Sequence, residues 1–94
     1  MARDRSFLER LSSAADLQDE PLPGLPLVEL MGDRRVLIEN HCGVTEYGGN
    51  MIGVKVKMGH ILVCGSGLEL SRMTKGQLII SGCIECVKIV RGKR

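Results

Sequence analysis

Val54-Lys55-Val56-Lys57-Met58-Gly59-His60-Ile61-Leu62-Val63-Cys64-Gly65 decides the fold. Val54, Val56 and Met58 alternate with Lys55 and Lys57, which is the period of a strand with one dry and one wet face. Gly59 interrupts that run, and Ile61 to Cys64 begin another. A glycine between two strand-forming runs supplies the positive φ of a tight reversal, so the stretch predicts a hairpin turning at Met58-Gly59. The same form returns at Gly76-Gln77-Leu78-Ile79-Ile80-Ser81-Gly82. Two copies are too few for a solenoid and read as two similar hairpin strands.

Working outward, the two-residue period holds from Leu27 onward. Val36 and Ile38, Leu68 and Leu70, and Val87 and Ile89 each flank a residue of the opposite face. Glycines punctuate these runs at Gly43, Gly48, Gly49, Gly65, Gly67 and Gly82. Short alternating runs with glycine breaks predict a mostly-β domain over residues 27–94, an antiparallel β meander closed like a sandwich or a roll. Val54, Val56, Leu68, Leu70, Leu78 and Ile80 are the expected core, and Lys55, Lys57 and Glu69 the expected surface. The end is a basic tail, with Lys88, Arg91, Lys93 and Arg94 and no acid over its last seven residues. Residues 21–26, Pro-Leu-Pro-Gly-Leu-Pro, fix φ and remove backbone donors, so they read as a linker. Residues 1–20 read as an amphipathic helix. Ser6 and Glu9 fit a capping box, and Phe7, Leu8, Leu11 and Ala15 recur at helical spacing. So short a helix needs a surface to lie on. Phe7, Leu8 and Leu11 are therefore the candidate partner contacts.

Composition narrows the function. A chain of 94 residues makes one domain. Its 13 Lys and Arg against 11 Asp and Glu are too balanced for a dedicated polyanion binder. Phe7 and Tyr47 are the only aromatic residues, too few for a base-stacking sheet. A small nucleic-acid-binding β protein using Lys55, Lys57 and the basic tail is therefore a distant alternative. Gly65-Ser66-Gly67 lacks the Lys-Ser/Thr ending of a phosphate loop. No apolar run approaches the ~20 residues of a membrane span, and the charged N-terminus does not read as a signal peptide. The expectation is a cytoplasmic protein with reduced cysteines.

Two clusters invite chemistry. Cys83-Ile84-Glu85-Cys86 has the spacing of a zinc or thiol-redox pair, with Cys42, His41 or Cys64 as further ligands. Against this, the run from Ile84 reads as strand, where residues three apart point to opposite faces. The cysteines then read as small semi-buried residues, with no metal and no cofactor expected. Glu39, Asn40, His41 and Cys42 offer an acid–base pair or a Cys–His nucleophile. However, adjacent residues diverge in extended chain, and Asn40 ahead of Gly43 is a good turn former. The structural turn is the preferred reading, with no catalytic residue and no enzyme.

The register of the whole β segment carries one resemblance. Leu25-Pro26-Leu27-Val28-Glu29-Leu30-Met31-Gly32 is followed by Val36-Leu37-Ile38-Glu39-Asn40-His41-Cys42-Gly43-Val44. The two glycine-bounded strands ending at Gly65 and Gly82 follow, and then Cys83-Ile84 and Val87. In this order the chain resembles the YabP/YqfC family of sporulation proteins, the YqfC branch in particular. Ile38, Glu39, Asn40, His41, Gly43, Gly59, Gly65 and Gly82 carry the match. The resemblance implies a protein of endospore-forming bacteria, made in the mother cell, acting in forespore or spore development in the coat or cortex programme. It implies no enzymatic activity and no catalytic residues. The expected mode of action comes from the meander, whose two strand edges are a natural route to pairing: contact with protein partners of the sporulation machinery, with homo-oligomers among the options and the forespore surface as the expected place.

Overall fold

A computed structural model describes residues 24–92. The expected helix with Phe7, Leu8 and Leu11, and the tail residues Lys93 and Arg94, lie outside the described residues.

Six antiparallel strands follow one another: β1 (Leu27–Met31), β2 (Arg35–Glu39), β3 (Val44–Tyr47), β4 (Met51–Val56), β5 (Gly59–Met73) and β6 (Gln77–Arg91). They form a single sheet in the order β1-β2-β6-β5-β4-β3. Four successive strands, β3 to β6, make a meander. The departure from a plain meander is at β6, which pairs with β2 through Val36↔Ile80 and Ile38↔Leu78.

The expected alternation sets the core. Val36, Ile38, Ile52, Val54, Val56, Ile61, Val63, Leu68, Leu78, Ile80 and Ile84 are buried in one cluster. Leu70 packs against it partly buried, and Lys55, Lys57 and Glu69 are exposed. The core positions lie on one face of the sheet, yet nearly all are inaccessible. One face of an open sheet stays wet, so the sheet must fold across itself. The bend lies in the long β5–β6 hairpin, whose register shifts between Cys64 and Gly65, between Ser66 and Glu69, and between Leu70 and Arg72. Such bulges bend a strand and sharpen its twist. The first layer holds β1, β2, the start of β6 and the end of β5. The second holds β3, β4, the start of β5 and the end of β6.

Two glycines make the bend feasible. A Cβ on Gly65 would overlap the Cys83 carbonyl oxygen. Gly82 has φ +142, and a Cβ there would lie 2.6 Å from the Gly67 carbonyl oxygen. Read as sequence, both looked like strand ends. In the structure 15-residue strands run through them. The β4–β5 hairpin also turns one residue earlier than expected. Val56 pairs with Gly59, so Lys57 and Met58 form the turn, and neither has positive φ. Gly59 opens β5, where a side chain would strike the Val90 carbonyl.

Candidate functional site

Residues 38–43 link the two layers. Ile38 anchors the start as a fully buried side chain. Glu39 sits opposite Gln77 and accepts a hydrogen bond from its Nε2 at 3.1 Å. Asn40 then turns the chain out of β2 with φ +64, the single non-glycine residue of positive φ among those described. Asparagine tolerates this conformation better than most residues. Its Nδ2 donates to the Leu25 carbonyl at 2.8 Å, and its N–H donates to Gly76 at 2.6 Å. Asn40 thus joins three stretches of chain.

His41 closes the arrangement. Its Nδ1 accepts the Gly43 N–H at 3.0 Å, and its Nε2 lies 2.9 Å from the Thr74 carbonyl oxygen. An accepting Nδ1 has no proton, and a bond to a carbonyl needs one on Nε2. The contacts therefore select the neutral Nε2–H tautomer. Both ring nitrogens are thus engaged with backbone groups of other residues. Cys42 is exposed, and its N–H donates to Lys55 at 2.7 Å. Gly43, with φ +123, feeds β3 while its carbonyl accepts from Lys55. Glu39 and His41 bond to different partners and not to each other. The cluster from Glu39 to Gly43 is a brace that carries the chain from one layer to the other.

The cysteines sit differently from the sequence expectation. Gly65 pairs with Ile84 and Cys64 with Cys86, so Glu85 is an extra residue in β6. Ile84 and Val87, three apart, both meet the core. The argument that Cys83 and Cys86 must point to opposite faces therefore fails, because the bulge resets the alternation. Both are exposed free thiols, and Cys86 lies directly across from the half-buried Cys64. Among the described residues no three His, Cys, Asp or Glu side chains come together as a metal-ligand set. Of the remaining motif positions, Gly59, Gly65 and Gly82 are points of close backbone approach.

What the fold leaves open is strand edge. Among the described residues, β1 pairs only with β2, and β3 only with β4. β2 reaches β6 only as far as Ile84, through its N–H to Asp33 at 2.8 Å. Beyond it, residues 85–91 of β6 have β5 on one side and no strand on the other among the described residues. The end of β5 likewise pairs only with the start of β6. These edges carry exposed apolar side chains: Leu30 on β1, Tyr47 on β3, Met73 on β5 and Ile89 on β6. No helix among the described residues is long and apolar enough to cross a membrane.

A bent antiparallel sheet with a braced crossover and open edges defines a small all-β protein built around its backbone. The YabP family model matches residues 26–94, and the chain belongs to that family. It is also similar to "Uncharacterized protein YqfC" of Bacillus subtilis (strain 168), with 22% identity over 80 residues, covering 85% of this chain and 86% of that protein. No solved structure matches it. Membership points to a sporulation-related protein.

Proposed function

We propose that this protein is a non-catalytic component of spore development that works by assembling with other proteins through its strand edges. The observation that carries this reading is the stretch of β6 from residue 85 to 91, which has β5 on one side and no strand on the other among the described residues, with Ile89 exposed on it. An open edge is a row of backbone donors and acceptors ready to pair with another chain. The side chains of Glu39, Asn40 and His41, by contrast, are bonded within the fold, which supports a structural part for them. Family membership supports sporulation as the process, and the setting proposed within it is forespore or spore development, in the coat or cortex programme, from the mother-cell cytoplasm. A fluorescent fusion followed through sporulation, beside a deletion scored for heat-resistant spores, tests the reading. The expected result is synthesis confined to the mother cell, signal at the forespore surface and fewer resistant spores. Expression in vegetative cells with no sporulation defect would defeat it.

A further inference from the structure

One hollow of the molecule has a chemistry that strand pairing does not use. It lies at the end of the second layer, where the β4–β5 turn meets the end of β6, and has a volume of about 670 Å³. Lys55, Lys57, His60 and Arg91 line it, with Leu25, Val56 and Met58 as apolar wall. Among the described residues no carboxylate lines it, although six of them are Asp or Glu. Glu46, on the same side of the sheet, lines the adjoining hollow beyond His60.

The register brings Lys55 and Arg91 to the same end of the sheet, from adjacent cross-strand rows of opposite facing. Lys55 and His60 are direct cross-strand partners, which sets their Cβ atoms about 5 Å apart. Arg91 stands opposite Gly59, which has no side chain to fill the space between them. The Lys57 side chain lies across Gly24, 3.6 Å from where a Cβ would sit there. Like charges gathered in one concave site raise its potential and attract a multivalent anion.

We propose that this hollow binds a phosphate ester. A phosphomonoester carries about −1.5 to −2 charge at neutral pH and three acceptor oxygens. That matches several cations better than a single carboxylate does. Arg91 offers the planar fork that takes two phosphate oxygens at once, and Lys55 adds a point charge. The hollow is large enough for more than the phosphate, and Leu25 and Met58 receive the organic part of the ester. Such a group is found on a soluble metabolite and on a phospholipid headgroup, and the site chemistry is common to both.

Two titrations of the full-length protein test this and separate the sources. One uses soluble glycerol phosphate, followed calorimetrically, with citrate as a carboxylate of similar charge. The other uses phosphatidylcholine vesicles with and without phosphatidic acid, read by co-sedimentation. The expected result is saturable binding of glycerol phosphate, of the phosphatidic-acid vesicles, or of both. Arg91→Ala and Lys55→Ala should each weaken it at least fivefold, with circular dichroism and thermal unfolding unchanged. Lys75→Ala, in the β5–β6 turn, should leave it intact. Binding to the vesicles alone assigns the headgroup, and competition by glycerol phosphate assigns a soluble ester. Absence of both, equal binding of citrate, or an equal loss in Lys75→Ala would overturn the proposal.

Discussion

At the scale of single residues, the hydrogen-bonding capacity of Asn40 and His41 goes to holding backbone. Replacing His41 with alanine removes the acceptor for the Gly43 N–H and the donor to the Thr74 carbonyl. At ~0.5–1.5 kcal/mol for each hydrogen bond, the expected loss is about 1–3 kcal/mol of stability. Denaturant unfolding would read it, and an unchanged midpoint would show that the brace is dispensable. Gly65 gives a second test. Gly65→Ala drives a methyl group into the Cys83 carbonyl, which is backbone and cannot rotate away. A loss on the order of 3 kcal/mol or more is expected. Gly67→Ala, at φ +60 with open space around it, should cost only about 1–2 kcal/mol for its left-handed backbone. Part of this was legible beforehand. Asn40 ahead of a glycine reads as a turn from local chemistry alone. The partner of His41 was not, because Thr74 lies 33 residues away and no local pattern encodes that meeting.

At the scale of elements, sequence periodicity predicted which side chains are buried better than it predicted where strands end. Val54, Val56, Leu78 and Ile80 are inside, because alternation on a pleated strand is a local property. The glycines at 65, 67 and 82 misled the reading of length. Glycine marks both a turn and a close crossing of backbones, and only the partner strand distinguishes them. The Glu85 bulge was invisible for the same reason. Its one trace in the sequence is that Ile84 and Val87 are both aliphatic and three apart, which breaks strict alternation. The bulge makes a sharp prediction. Deleting Glu85 keeps Ile84 and Val87 on the core face, now two residues apart, but removes the extra residue that bends β6 and lets the sheet close across itself. Glu85→Ala keeps the spacing and removes only an exposed side chain. The deletion should abolish a cooperative thermal transition, and the alanine variant should melt within a few degrees of the parent. Similar melting of the two would show that β6 does not need its extra residue.

At the scale of the molecule, bending one sheet into two layers buries a core without a second sheet, and it doubles the number of edges. The β6 edge is the one whose geometry specifies a partner most closely. Gly92 donates to Met58 at 2.9 Å. Bonded and non-bonded pairs alternate along an antiparallel ladder. Val90 and Lys88 therefore bond to β5, and the N–H groups of Ile89 and Val87 face the open side. A second copy approaching antiparallel, with Val87 opposite Ile89, would pair those groups about a two-fold axis, the usual symmetry of a dimer. The same register sets Glu85 opposite Arg91 of the second copy twice over. It also brings Lys88 against its own counterpart, an unfavourable like-charge pair that keeps the contact modest. Ile89→Pro tests this edge with little harm to the fold. Proline is tolerated on an edge strand when its missing N–H faced outward, and Lys88 before it is already extended, as proline requires. Lys88→Pro removes an N–H that the β5 ladder uses, so it should lower the melting temperature while Ile89→Pro does not. In sedimentation equilibrium the parent should gain mass with concentration, and Ile89→Pro should remain a monomer over the same range. A parent that stays monomeric throughout, or an Ile89→Pro variant that still associates, would remove β6 as the self-pairing edge. Assembly would then rest on β1, β3 or the end of β5.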